Sequence, residues 1–176
     1  MMGAGKSTVG RILAEMLDLP FFDSDEEVER AAGKTVAEIF DSGGEAAFRA
    51  EERRALDRLV GGPCSVIAAG GGAMLDGSTR ALILERCTTV WLKVDPSTLA
   101  RRLAGCSDRP LLQSGDPEQM LRRLLAERER LYAAAAIHVA TGDETPSETA
   151  AAILAQLSAA APSPAPQADR EADCQE

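Results

Sequence analysis

Aromatic side chains are scarce in this chain of 176 residues: one Trp, one Tyr and four Phe make up 3% of it. Histidine is reduced to His138, and Cys64, Cys87, Cys106 and Cys174 show neither close pairing nor metal-type spacing with it. That pattern argues against a metal or redox centre and leaves free, inert thiols as the expectation. Lysine occurs only at positions 6, 34 and 93, against 16 arginines. Anion recognition is therefore expected to run through planar guanidinium groups, which suit carboxylates and phosphates. No stretch approaches the roughly 18 apolar residues of a membrane span, and no basic region followed by an apolar signal core opens the chain. A soluble cytoplasmic protein is expected. The net charge of −9 and the pI near 4.7 disfavour nucleic acid and anionic membranes as partners.

What remains is ordinary in amount and ordered in pattern. With 45% hydrophobic residues the chain can bury one core of domain size. Segments of helical period run over 8–17, 25–32, 36–59, 78–86, 96–103, 117–132 and 147–157. Between them lie short apolar or β-branched runs at 20–23, 65–69, 88–94 and 137–141, the texture of buried parallel strands. The alternation predicts an α/β fold without internal repeats, occupying residues 1–158. Residues 159–176 turn to Ala, Pro and charge and are expected to form a disordered tail. Because no long apolar surface stripe is left once the helices pack, a monomer is expected.

The strongest chemical signal stands at the start. Gly3, Ala4, Gly5, Lys6, Ser7 and Thr8 open directly into an amphipathic helix carrying Val9, Ile12, Leu13 and Leu17, as a Walker A phosphate loop does. Glycines let backbone N–H groups curl around phosphate oxygens, and the helix N-terminus adds positive dipole. Lys6 would reach the β- and γ-phosphates, and the Ser7 hydroxyl would ligate Mg²⁺. The full pattern asks for a further glycine five positions before Gly5 and for a preceding strand, neither of which is in this sequence. Loss of a middle strand would leave buried N–H and C=O groups unpaired, so the biological chain is expected to begin upstream of Met1.

Further along, Phe21 and Phe22 lead into Asp23-Ser24-Asp25, placing two carboxylates at the C-terminal end of a strand, where parallel sheets build their sites. In extended chain these two would point differently, one towards Mg²⁺ and one towards a substrate hydroxyl. A solvated acidic run at a helix N-terminus explains them equally well. Gly70, Gly71 and Gly72 follow the apolar strand and allow close backbone approach to a ligand, or a simple strand exit. Arg49, in Phe48-Arg49 with Glu52, and Arg128, in a charge-laced helix, read by themselves as solvated arginines. Arg109, leading Pro110-Leu111-Leu112 and a polar stretch with Gly115 and Pro117, has the texture of a lid base able to clamp phosphoryl oxygens. Trp91 and His138 sit in apolar strands and are expected to be packed.

In chain order, the loop at 3–8, Asp23-Ser24-Asp25, Phe48-Arg49 with Glu52, Gly70-Gly71-Gly72, Arg109-Pro110-Leu111-Leu112 and Arg128 before Leu131-Tyr132 resemble the shikimate kinase family, over roughly residues 2–157. The resemblance implies a P-loop, nucleoside-monophosphate-kinase-like three-layer sandwich with a five-stranded parallel sheet, here without its first, central strand. It also implies transfer of the ATP γ-phosphoryl group to the 3-hydroxyl of shikimate, a step of aromatic amino acid biosynthesis, with Mg²⁺ as cofactor. Carried over residue by residue, Gly3, Ala4, Gly5, Lys6, Ser7 and Thr8 would bind ATP phosphates, with Ser7 and Asp23 on Mg²⁺. Asp25 would hold the ring hydroxyls and take the proton of the attacking one. Arg49 and Arg128 would grip the carboxylate, and Gly70, Gly71 and Gly72 would line the substrate. Arg109 would reach the phosphates, while Arg102 and Pro146 would flank adenine. Two rivals stay open on the sequence: another small-molecule P-loop kinase, such as a gluconate or nucleotide kinase, and a ligand-binding descendant without turnover, given the truncated amino end.

Overall fold

The helices and strands begin and end where local chemistry demands. The computed structural model describes residues 1–104 and 116–160. In chain order the elements are α1 (Lys6–Leu17), β1 (Phe21–Asp23), α2 (Ser24–Ala32), α3 (Val36–Val60), β2 (Val66–Ala68), α4 (Gly77–Arg86), β3 (Val90–Val94), α5 (Pro96–Leu103), α6 (Pro117–Tyr132), β4 (Ile137–Thr141) and α7 (Pro146–Ala160). Pro96, Pro117 and Pro146 open their helices at a position that needs no N–H donor. Thr35 starts α3 with a reciprocal cap, its hydroxyl accepting from the Glu38 N–H while Glu38 accepts from the Thr35 N–H. Asp76 caps α4 by accepting from the Thr79 N–H at 2.8 Å.

One element departs from its sequence reading. The run at 36–59 reads as a single helix, but Gly44 takes φ 68° and ψ −170°, so α3 has two arms joined by a kink. A left-handed φ is cheap only for glycine, and the Gly43-Gly44 pair supplies it. Phe40 and Phe48 meet across the break with ring centroids 5.0 Å apart. Ile39 on the first arm and Phe48 and Ala55 on the second close over Val28 of α2 in a small separate core. The second arm thereby carries Arg49 and Glu52 at a direction set by the kink.

All strand pairing among the described residues is parallel, as the buried apolar runs predict. β1 lies against β2 with Phe22 opposite Ile67, and β3 lies against β4 with Leu92 opposite Val139. Among the described residues the sheet is divided into these two pairs, the break falling between β2 and β3. That matches the four strands read from the sequence and leaves one edge of each strand without a strand partner. Met1 stands at the division: it lines a cavity of about 420 Å³ with residues 91–94 of β3 and Asp95 after it, and its backbone lies beside Gly71 after β2. The main core is aliphatic, joining Val9 and Leu13 of α1, Leu92 and Val94 of β3, Val139 of β4, Leu99, Leu121 and Ile153.

Burial along β4 alternates strictly, with Ile137, Val139 and Thr141 buried and His138 and Ala140 exposed. His138 is therefore not the packed residue that its apolar neighbourhood suggests; it lies on the open face, edge-on to Trp91 at 5.3 Å. Successive side chains of a strand point to opposite faces of the sheet, so His138 and Ala140 share the face left open. Trp91 itself is buried. Cys64 and Cys87 are free thiols, while Cys106 and Cys174 lie outside the described residues. The α7 helix runs to Ala160, two residues past the expected boundary of the domain. No helix among the described residues is long and apolar enough to cross a membrane.

Candidate active site

The phosphate loop takes the shape its glycines permit. Gly3 and Gly5 adopt φ of 71° and 81°, and Gly5 caps α1 without any side-chain hydrogen bond to the first helical N–H groups. Such a terminus is free to receive an anion. Ala4 is buried beneath the loop and Thr8 is exposed. Lys6 Nζ donates to the Met1 carbonyl at 3.1 Å, which folds the loop back on the start of the chain. Burial, with the charges of Lys6 and Arg128 adding to it, pushes the Met1 ammonium down to about 5. The positive charges of Lys6 and Arg128 thus converge beside the loop.

Ser7 Oγ donates to Asp23 Oδ2 at 2.6 Å, so the two residues assigned to Mg²⁺ stand side by side although 16 positions apart. A hydroxyl and a carboxylate at a helix N-terminus form the hard oxygen donor set that Mg²⁺ favours, and the pair fits that ion. Asp23 also caps α2, its Oδ1 accepting from the Asp25 N–H at 3.0 Å. The two aspartates do diverge, for a reason other than strand alternation: Asp25 already belongs to the first turn of α2. Its Oδ1 turns towards Gly70, whose missing Cβ would stand 3.0 Å away.

The glycine loop is where the second half of the site assembles. Ser24, fully buried, accepts from the Gly70 N–H at 2.8 Å and ties α2 to the loop 46 positions later. A Cβ on Gly70 would stand 2.5 Å from Glu52 Oε1, and one on Gly72 would occupy the place of the Arg49 guanidinium. The glycines thus make room for Asp25, Glu52 and Arg49 to crowd against backbone. Arg49 donates to Glu52 at 2.6 Å and to Glu45 at 3.1 Å and lies over the Phe48 ring. Glu52 is 3% exposed and its Oε1 has no hydrogen-bond partner. Burial raises its carboxyl above the usual range against the pull of Arg49, and nearby Asp25 adds to the rise.

Arg128 approaches from α6, half-buried and close enough for its charge to bear on the Met1 ammonium beside Gly71. Arg102 donates to the Gly142 carbonyl at 2.7 Å, in the turn that leads to Pro146 at the start of α7. Arg109 and the rest of the lid-like segment lie outside the described residues. Two residues escape sequence reasoning as site members, Ser24 and Tyr132. Tyr132 donates its hydroxyl to the Gly71 carbonyl at 2.6 Å. Both act through backbone groups distant in sequence; only the flanking motifs hint at them.

The arrangement joins a phosphate loop to a cluster of Asp25, Arg49 and Glu52 set against the glycine loop. The family model for shikimate kinase matches residues 2–158. The chain belongs to the shikimate kinase family. It is 49% identical to the shikimate kinase of Caulobacter vibrioides (strain NA1000 / CB15N) over 157 residues, 89% of this chain and 78% of that protein. To the Zymomonas mobilis shikimate kinase it is 47% identical, covering 89% of each chain. In structure it is similar to the Acinetobacter baumannii shikimate kinase solved in complex with shikimate, with a TM-score of 0.84 at 39% identity, covering 90% of this chain and 89% of that one. The Aquifex aeolicus enzyme gives 0.79 at 35% identity, over 90% and 92% of the two chains. The P-loop, nucleoside-monophosphate-kinase-like architecture inferred from the sequence is the fold of these neighbours.

Proposed function

We propose that this chain transfers the γ-phosphoryl group of ATP to the 3-hydroxyl of shikimate, giving shikimate 3-phosphate and ADP for aromatic amino acid biosynthesis. Besides the family match, one observation carries the reading: the phosphate loop and the glycine loop are joined by a short series of contacts. Ser7 holds Asp23, Asp23 holds the Asp25 N–H, and Ser24 holds Gly70. Donor and acceptor sites built this way sit at a fixed separation, which phosphoryl transfer needs more than it needs covalent help.

In this reading the loop N–H groups of 3–8 and Lys6 bind the phosphates, and Lys6 steadies charge on the transferring oxygens. Ser7 and Asp23 would hold Mg²⁺, which would supply positive charge to the phosphates. Asp25 holds the ring hydroxyls and accepts the proton of the 3-hydroxyl. Arg49 and Arg128 take the carboxylate with paired guanidinium donors. Gly70, Gly71 and Gly72 offer backbone to the ring. Arg109 is assigned to the phosphoryl oxygens, and Arg102 with Pro146 to adenine. The enzyme works as a cytoplasmic monomer with its kinase domain in residues 1–158. ADP release from Mg-ATP, measured with shikimate, gluconate and a nucleoside monophosphate in turn, tests the proposal. Release dependent on shikimate alone is expected, and release dependent on another acceptor would assign the chain a different substrate.

A further inference from the structure

We propose that Tyr132 is a positioning residue for the acceptor site, aiming the backbone of the glycine loop and the Arg128 side chain together. The inference rests on the functional reading above and extends it to a residue outside the phosphate and substrate contacts. Tyr132 and Arg128 are four positions apart on α6 and so share one helix face. The Tyr132 ring is buried, and its centroid lies 5.9 Å from that of Trp91, which anchors the end of α6 against β3. From that anchor the hydroxyl donates to the Gly71 carbonyl at 2.6 Å, across 61 positions.

The consequence follows from the planarity of the peptide. No peptide bond among the described residues is cis, so the Gly71 carbonyl and the Gly72 N–H point in opposite directions from one rigid unit. Fixing that carbonyl turns the Gly72 N–H to the face away from Tyr132. Two peptides earlier, Ser24 holds the Ala69–Gly70 unit by accepting from the Gly70 N–H, and the Gly70 carbonyl between them accepts from the Ala73 N–H at 3.1 Å. Glycine has more conformational freedom than any other residue, so three in succession need such clamps to present a defined donor. Without the hydroxyl, the ring still fills its place in the core, but the Gly71–Gly72 peptide is released.

Tyr132→Phe isolates this effect, since the ring and its contact with Trp91 are retained. Shikimate KM is expected to rise about 3- to 10-fold, the range for one lost hydrogen bond. ATP KM and kcat should stay within about twofold of the parent, a split that loss of folded protein alone would not produce. Trp91 is the only tryptophan and lies against Tyr132, so a fluorescence titration with shikimate gives the binding constant independently. An unchanged shikimate KM and binding constant, or an ATP KM rising in step, would overturn the inference while leaving the activity in place. Absence of shikimate-dependent turnover in the parent chain would overturn the functional reading and this inference with it.

Discussion

At the scale of single residues, the site separates binding from chemistry. Arg49 is held by Glu52 and Glu45 and stands where a side chain on Gly72 would be, so it is preorganised towards a ligand carboxylate. Arg49→Ala should raise shikimate KM roughly 10- to 100-fold with a smaller change in kcat, as expected for a lost charge-assisted bond. Asp25→Asn should instead lower kcat by about 100-fold or more with a modest change in KM, because its assigned task is the proton. Steady-state kinetics in both substrates distinguishes the two. The residue types were legible in the sequence, and Arg49 and Arg128 gained meaning only as parts of an ordered set. Ser24 and Tyr132 were not legible as site members, since their partners are backbone groups 46 and 61 positions away and leave no local pattern.

At the scale of elements, most boundaries were readable because caps announce them. Pro96 and Pro117 open α5 and α6 at the positions expected from periodicity. The kink in α3 was not read, although its cause, Gly43-Gly44, was in view: a helical period survives a break when both arms bury apolar residues on the same core. The α7 helix begins with a reciprocal cap in which Thr145 and Glu148 satisfy each other's N–H groups at 2.7 and 3.2 Å. Thr145→Ala should cost about 1 kcal/mol, read as a lower urea midpoint with an unchanged slope. A midpoint equal to the parent's would mean that the packing of α7 on α1 alone fixes this helix end.

For the whole molecule, the four strands read from the sequence pair in parallel, β1 with β2 and β3 with β4, and the glycine loop and the two aspartates follow β2 and β1 at their C-terminal ends. The alternation of apolar runs with helical periods made the order of elements legible. Which strands pair was not legible, because pairing joins runs far apart in the chain, Phe21 with Val66 and Val90 with Ile137.

The most direct test of the account is the identity of the product. After incubation with shikimate and Mg-ATP, phosphorus NMR and mass spectrometry should show one phosphate ester on the 3-hydroxyl for each ADP formed. Phosphate on a different hydroxyl, or ADP formed without a phosphorylated shikimate, would contradict it.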